Sequence, residues 1–275
     1  MQPEFFLPRE RGAHDPVRAA EAEAHRALGK GGGLLSLMMA SLLLLLVGFA
    51  VYFFTAILGE VLYAYTHLPV SAIDVLCIAA ATVLLLVAAL PLLVGRLRMA
   101  GLVAMGETPQ PGEVVYYYTT PACFARGLWL GVMYALSLAT PLVLTGGGLL
   151  LSFLLFENVL LLHLEEVLAI TLFVMLDLVC AGLLFLFIFL AGAYFCATAI
   201  AVGNAHCSPL AALTLAFSAT RGKWGTVFRF VLRAVWHFLI SVPTLGILWV
   251  CYFAHHTTVG YVALCRELCG QTGVN

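Results

Sequence analysis

Leu34 to Gly59 reads LLSLMMASLLLLLVGFAVYFFTAILG, a stretch without a single charged residue. It is long enough as a helix to cross the roughly 30 Å of bilayer hydrocarbon, which takes about 20 apolar residues. Composition extends that reading to the whole chain. Of 275 residues, 63% are hydrophobic and 10% charged, too few charges to build a water-facing surface, so lipid has to be the main solvent. A formal charge of −1 argues against a nucleic-acid binder, whose affinity rests on clustered Lys and Arg. The fold class that follows is an all-α, polytopic transmembrane bundle.

Outward from Leu34 the segments fall into place. Residues 1–32 form an N-terminal segment of mixed charge, with Val17 to Lys30 predicted as a short amphipathic helix at the headgroups. The run after it is too long for a secretory signal and has no small-residue cleavage pattern. Residues 33–266 read as one membrane domain, with spans expected at about 34–59, 73–95, 128–156, 167–190, 224–241 and 245–264, and 267–275 as a tail. Arg96 to Met105, the turn from Gly106 to Gly112 and the aromatic stretch Tyr116 to Arg126 read as interfacial. Pro141 and Gly146-Gly147-Gly148 predict a kink or unwound section in the third span. The run Val167 to Gly203 would be about 55 Å as one helix, too long for an upright crossing, so its last residues are expected to leave the bilayer. Ser208 reads as an N-cap and Pro209 as the first position of a short helix to Thr220. Val242-Pro243-Thr244 predicts a tight turn between the last two spans, one long kinked helix being the alternative.

Orientation comes from counting basic residues. Of the 13, five lie in the N-terminal segment, and the others are Arg96, Arg98, Arg126, Arg221, Lys223, Arg229, Arg233 and Arg266. The connectors 60–71 and 157–166 hold none. The positive-inside rule then places both termini in the cytoplasm and makes the number of crossings even. The eight cysteines fall in apolar runs or cytoplasmic segments, so no disulfide framework is implied. A short motif recurs. Arg126-Gly127-Leu128-Trp129 is echoed by Arg221-Gly222-Lys223-Trp224 and by Lys30-Gly31-Gly32-Gly33, each before a pair of spans. That suggests three similar hairpin units with short interfacial helices.

The stretch Phe217-Ser218-Ala219-Thr220-Arg221-Gly222-Lys223-Trp224, the helix Phe230 to Trp236, and Thr244-Leu245-Gly246-Ile247-Leu248-Trp249-Val250-Cys251-Tyr252 resemble the C-terminal signature of a bacterial family. It is the domain-of-unknown-function group numbered nine hundred and seventy-five. Cys251 stands where that pattern has proline, and Arg26-Ala27-Leu28-Gly29-Lys30 is similar to its opening. The resemblance implies a multi-span protein of the bacterial cytoplasmic membrane and attaches no activity to it.

An ionisable group at membrane depth is a functional hypothesis by default. Asp177 lies near the middle of the fourth span. Arg229, Arg233, His237 and Ser241 stand at successive i, i+4 positions and make one polar stripe on the fifth, while His255 and His256 lie halfway down the sixth. Two readings stay open. In one, Asp177, Arg233 and a histidine line an ion path or an anionic headgroup pocket. In the other, Arg229 snorkels to the interface, Arg233 pairs with Asp177, and the histidines bond backbone carbonyls. His163, Glu165 and Glu166 read as a solvated connector, since no His-Glu-x-x-His pattern accompanies them. Cys265 and Cys269 read as a reduced structural pair on one helix face, and Gly127-x-x-x-Gly131 as a close-packing face. No nucleophile-base pair, phosphate loop, metal ligand set or cofactor motif is spaced for chemistry. The partners expected are membrane lipids, with other membrane proteins or self-association beside them.

Overall fold

The computed structural model describes residues 15–29, 32–66, 69–161, 166–204, 207–244 and 247–271, with side chains undescribed for much of 137–187 and at 238, 249 and 250. Every element among them is helical: α1 (Pro16–Gly29), α2 (Gly33–Tyr65), α3 (Val70–Ala104), a 3₁₀ helix (Pro111–Tyr118), α4 (Pro121–Leu161), α5 (Glu166–Gly203), α6 (Pro209–Thr220), α7 (Trp224–Ser241) and α8 (Ala254–Gln271). Three helical stretches, Gly33–Tyr65, Val70–Ala104 and Trp224–Thr244, are long and apolar enough to cross a membrane.

Local chemistry places most of the boundaries. The Asp15 side chain accepts a hydrogen bond from Val17 N at 3.2 Å ahead of Pro16. Ser208 accepts one from Ala211 N at 3.2 Å ahead of Pro209, the cap expected of it. Gly106, at φ 82°, closes α3 by letting Glu107 N reach back to Leu102 O at 3.0 Å.

Helix α4, the third long helix, departs from expectation. It begins at Pro121, ahead of the expected start near Leu128, and runs without interruption through Pro141 and the three glycines. No unwound section forms. An unpaired N–H or C=O in an apolar setting costs more than glycine's poor helix propensity. Gly127 therefore lies inside α4, whereas Gly222 stands in a turn at φ 75°. The two copies of the basic-glycine motif are built differently.

Neighbouring helices pair antiparallel. Gly33 lies against Val103, the Ser41 hydroxyl against Arg96, and Gly59 against Cys77, positions that rise along α2 as they fall along α3. Tyr134 meets Phe195 with ring centroids 5.4 Å apart, bringing α4 onto α5. His237 stacks on Phe253 at 4.8 Å and Phe230 meets Tyr261 at 5.1 Å, so the chain turns back between α7 and α8 rather than continuing as one helix.

Burial is concentrated at one end of these pairs, the end that carries the basic residues. The last third of α3, from Leu90 to Ala104, is almost wholly buried, with Ala193 to Val202 of α5, the Ala212, Ala216 and Ala219 face of α6, and Val259 to Leu268 of α8. Small residues let backbones approach there. A Cβ on Gly95 would stand 2.0 Å from Val114 O, one on Gly127 2.7 Å from Tyr117 Cβ, and one on Gly131 2.5 Å from Leu90 Cβ. The Gly127-x-x-x-Gly131 face is thus in close contact with both the 3₁₀ helix and α3. Away from this core, Phe49, Tyr52, Phe53, Ile57, Val75 and Ile78 are exposed. So much contiguous apolar surface needs an apolar solvent or partner.

Candidate functional site

The acidic side of the core comes from α1. Its carboxylates meet the basic residues of the last two helices: Glu21 with Arg233, Glu23 with Arg266, and Asp15 with Arg229 at 3.7 Å. Small residues Ala20, Ala24 and Ala27, with Val17 and Leu28, seat the other face of α1 against the bundle. Arg98, nearly buried, pairs with Glu113 at 2.7 Å and lies over the Tyr116 ring at 4.1 Å. Arg126 donates to the carbonyls of Ala201, Asn204 and Cys207 at 2.8 to 3.0 Å, and Lys223 to Leu268 O at 3.2 Å. Both cations thus sit at helix C-termini, where the backbone dipole is negative.

The sequence-predicted cluster separates into two nodes. His256 points toward α1 and α7: its ring lies 5.7 Å from Tyr252 and 5.8 Å from His237, and the Tyr252 hydroxyl bonds His25 Nδ1 at 2.8 Å. Arg233, Arg229 and His237 of the stripe face this same side. His255, one residue and about 100° away on the helix, points the other way and is buried. Its Nδ1 lies 3.2 Å from Arg96 Nη2, and Arg96 Nε donates to Ser41 Oγ at 2.9 Å. The buried Tyr134 lies beside Arg96. A guanidinium has no lone pair to offer, so His255 Nδ1 accepts and its proton is on Nε2.

The antiparallel return of α8 lays α1 along α7 and puts Glu21 of α1 on Arg233, while the expected pairing of Arg233 with Asp177 lies outside the described side chains. Asp177 belongs to α5, and its side chain lies outside the described ones, as do residues 162–165 with His163 and Glu165. Of the two basic-glycine motifs, Arg126 caps α5 and Trp224 stacks on Phe189, while Trp129 and Arg221 are exposed.

Sequence reasoning missed Arg96, Ser41 and Tyr134, which have no periodic relation to one another, and missed Cys196 as the third member of a thiol group. The thiols of Cys265 and Cys269 lie beside that of Cys196 of α5, all three free. Burial pushes the Cys265 thiol up, and the neighbouring Cys196 thiol does the same to Cys269. Among the described residues no group of three or more His, Cys, Asp and Glu side chains is arranged to hold a metal ion. At the far end of α2 and α3, an open cleft of about 600 Å³ holds Glu60 and Asp74 among apolar side chains, both carboxylates exposed. Set against known proteins, the chain matches no protein-family model, no curated protein and no solved structure.

Proposed function

We propose that this chain is a six-crossing protein of the bacterial cytoplasmic membrane, arranged as three helical hairpins with its basic, packed end toward the cytoplasm. In this reading it is not an enzyme and acts as a scaffold or accessory subunit. The observation that carries it is the division of the molecule into a tight core at the basic end and apolar helix faces left uncovered beyond it, such as Phe49, Tyr52, Phe53 and Phe54 of α2. Helix faces of that kind associate laterally in lipid through packing rather than through chemistry. The separation of His255 from Arg233 and His256 also favours it, since these side chains do not line one path. The bacterial setting rests on the resemblance of residues 217–252.

Reporter fusions at the N terminus, in the 66–69 connector and after Gln271 test the topology: cytoplasmic, external and cytoplasmic in turn. Copurification from native membranes, read for protein and lipid, tests the role. A stoichiometric membrane partner or a defined homo-oligomer, lost when Phe49 and Tyr52 become Ala, is the expected result. A monomer that moves a solute across proteoliposomes, with transport abolished by Asp177→Asn, would replace the scaffold with a transporter. A lipid-handling role is favoured by one observation, the setting of Arg96.

A further inference from the structure

The arginines of the packed core differ in how their charge is met. Arg98, Arg229, Arg233 and Arg266 each have a carboxylate, and Arg126 has the carbonyl end of α5. Arg96 has neither. Its hydrogen-bond partners are the Ser41 hydroxyl and the accepting Nδ1 of His255, with the Tyr134 phenol beside it, all uncharged, and among the described residues no carboxylate lies within ion-pair distance of it. A cation taken partly out of water without an anion is costly. Two of its five N–H groups meet Ser41 and His255, which leaves donors for a ligand as well as the whole positive charge.

The position suits a particular ligand. Ser41 lies eight residues into α2 and Arg96 eight residues before the end of α3, so both stand about 12 Å along the helices from the basic end. With that end at the membrane surface, as the proposed topology has it, this is the depth just below the headgroups. Tyr134 and His255 are buried behind the guanidinium, while Arg96 and Ser41 are half-buried and remain reachable. Arg96 is also the tie between α2 and α8, which otherwise touch little. A planar guanidinium fixed by neutral partners keeps N–H donors of the kind that oxyanions of phosphate accept.

We propose that Arg96, held by Ser41, Tyr134 and His255 with no carboxylate among its described neighbours, is a binding site for a phosphate oxyanion, of a phospholipid headgroup or of free phosphate. Occupancy would tie α2, α3 and α8 together at the edge of the core. The depth argument rests on the proposed membrane topology, whereas the charge argument does not.

The test uses the full chain, delipidated in detergent and supplied separately with phosphatidylglycerol, with diacylglycerol of the same acyl chains, or with inorganic phosphate, binding being read by native mass spectrometry. Phosphatidylglycerol should bind at least tenfold more tightly than diacylglycerol, and Arg96→Gln should remove that preference while Arg221→Gln, at an exposed cation, keeps it. Displacement of the lipid by millimolar inorganic phosphate would assign the site to free phosphate; no displacement would assign it to the lipid. If Arg96→Gln does not fold, a photoreactive headgroup on phosphatidylglycerol can be mapped on the wild-type chain. Crosslinks are expected around Ser41 and Arg96. Equal binding by Arg96→Gln and wild type, or crosslinks confined to the exposed basic rim at Arg18, Arg26 and Arg221, would overturn the site. Reporter fusions judge the topology separately, so that reading can fail while lipid binding at Arg96 stands.

Discussion

Arg233 of α7 is held by Glu21 of α1, a pairing across 212 residues of sequence. It makes the first helix part of the same assembly as the last two. The pair is partly exposed, which limits its worth to the range of about 1 kcal/mol typical of such contacts. A double-mutant cycle of Glu21→Gln and Arg233→Gln, read by thermal unfolding in detergent, should give a coupling of that size. Proteolysis in the α1 region should accelerate in either single variant. A coupling indistinguishable from zero together with unchanged proteolysis would mean that α1 is held by its apolar face alone.

Close glycine contacts set a second expectation. Alanine at Gly131 would place a methyl 2.5 Å from Leu90 Cβ, and at Gly95 2.0 Å from a backbone carbonyl. Overpacking of this kind destabilises by about 1–3 kcal/mol, with Gly95→Ala the worse because the backbone atom it meets cannot rotate away. Gly48, in the same class of apolar helix, has open space around it, so Gly48→Ala should be neutral or stabilise by about 0.5 kcal/mol or more through helix propensity. Melting temperatures of the three variants in one detergent decide the ranking.

Tyr117 of the 3₁₀ helix carries an alkaline-pH expectation. Burial pushes its phenol from 10.0 up to about 12, since the buried ring disfavours phenolate. The unfolded chain then loses its proton first, so stability is complete below pH 10 and falls as pH rises toward about 12. The size is up to about 3 kcal/mol from a shift of that order. Unfolding measured from pH 9 to 12 should show a shallower decline in Tyr117→Phe than in the wild type. Parallel curves would exclude Tyr117 as the source.

The thiols give a fourth test. Cys196 and Cys265 are buried, and Cys123 is half-buried at the surface of α4. The thiolate is the reactive form, and burial disfavours it, as it does for Cys265. Maleimide should therefore modify Cys123 in the folded protein and reach Cys196 and Cys265 only in denaturant. Rapid native labelling of the buried pair would show that α5 and α8 separate readily.

Much of this molecule was legible in the order of its residues. The uncharged run from Leu34 to Gly59, the cap at Ser208 with Pro209, and the turn at Gly106 are local facts of propensity and hydropathy, and the helices follow them. The same local logic located the stripe Arg229, Arg233, His237 and Ser241 on one face of α7. At α4 it left a kink or an unwound section open at Pro141 and the three glycines, and the helix is not unwound there, because an apolar surround penalises unpaired backbone more than weak propensity does.

What meets the charges was decided by tertiary structure alone. Arg233 has Glu21 on it because α8 folds back along α7 and brings α1 with it. His255 and His256, adjacent in sequence, face opposite sides because a helix turns about 100° per residue. Arg96 joins Ser41, Tyr134 and His255 from four different helices, and no spacing in one chain encodes a meeting of that kind. The sequence by itself determined that the long helices are apolar enough to cross a membrane, that the elements are helices and where most of them start and stop, since those depend on hydropathy and caps within a few residues. Which polar groups become partners depended on how helices far apart in the chain pack, and only the three-dimensional arrangement could supply that.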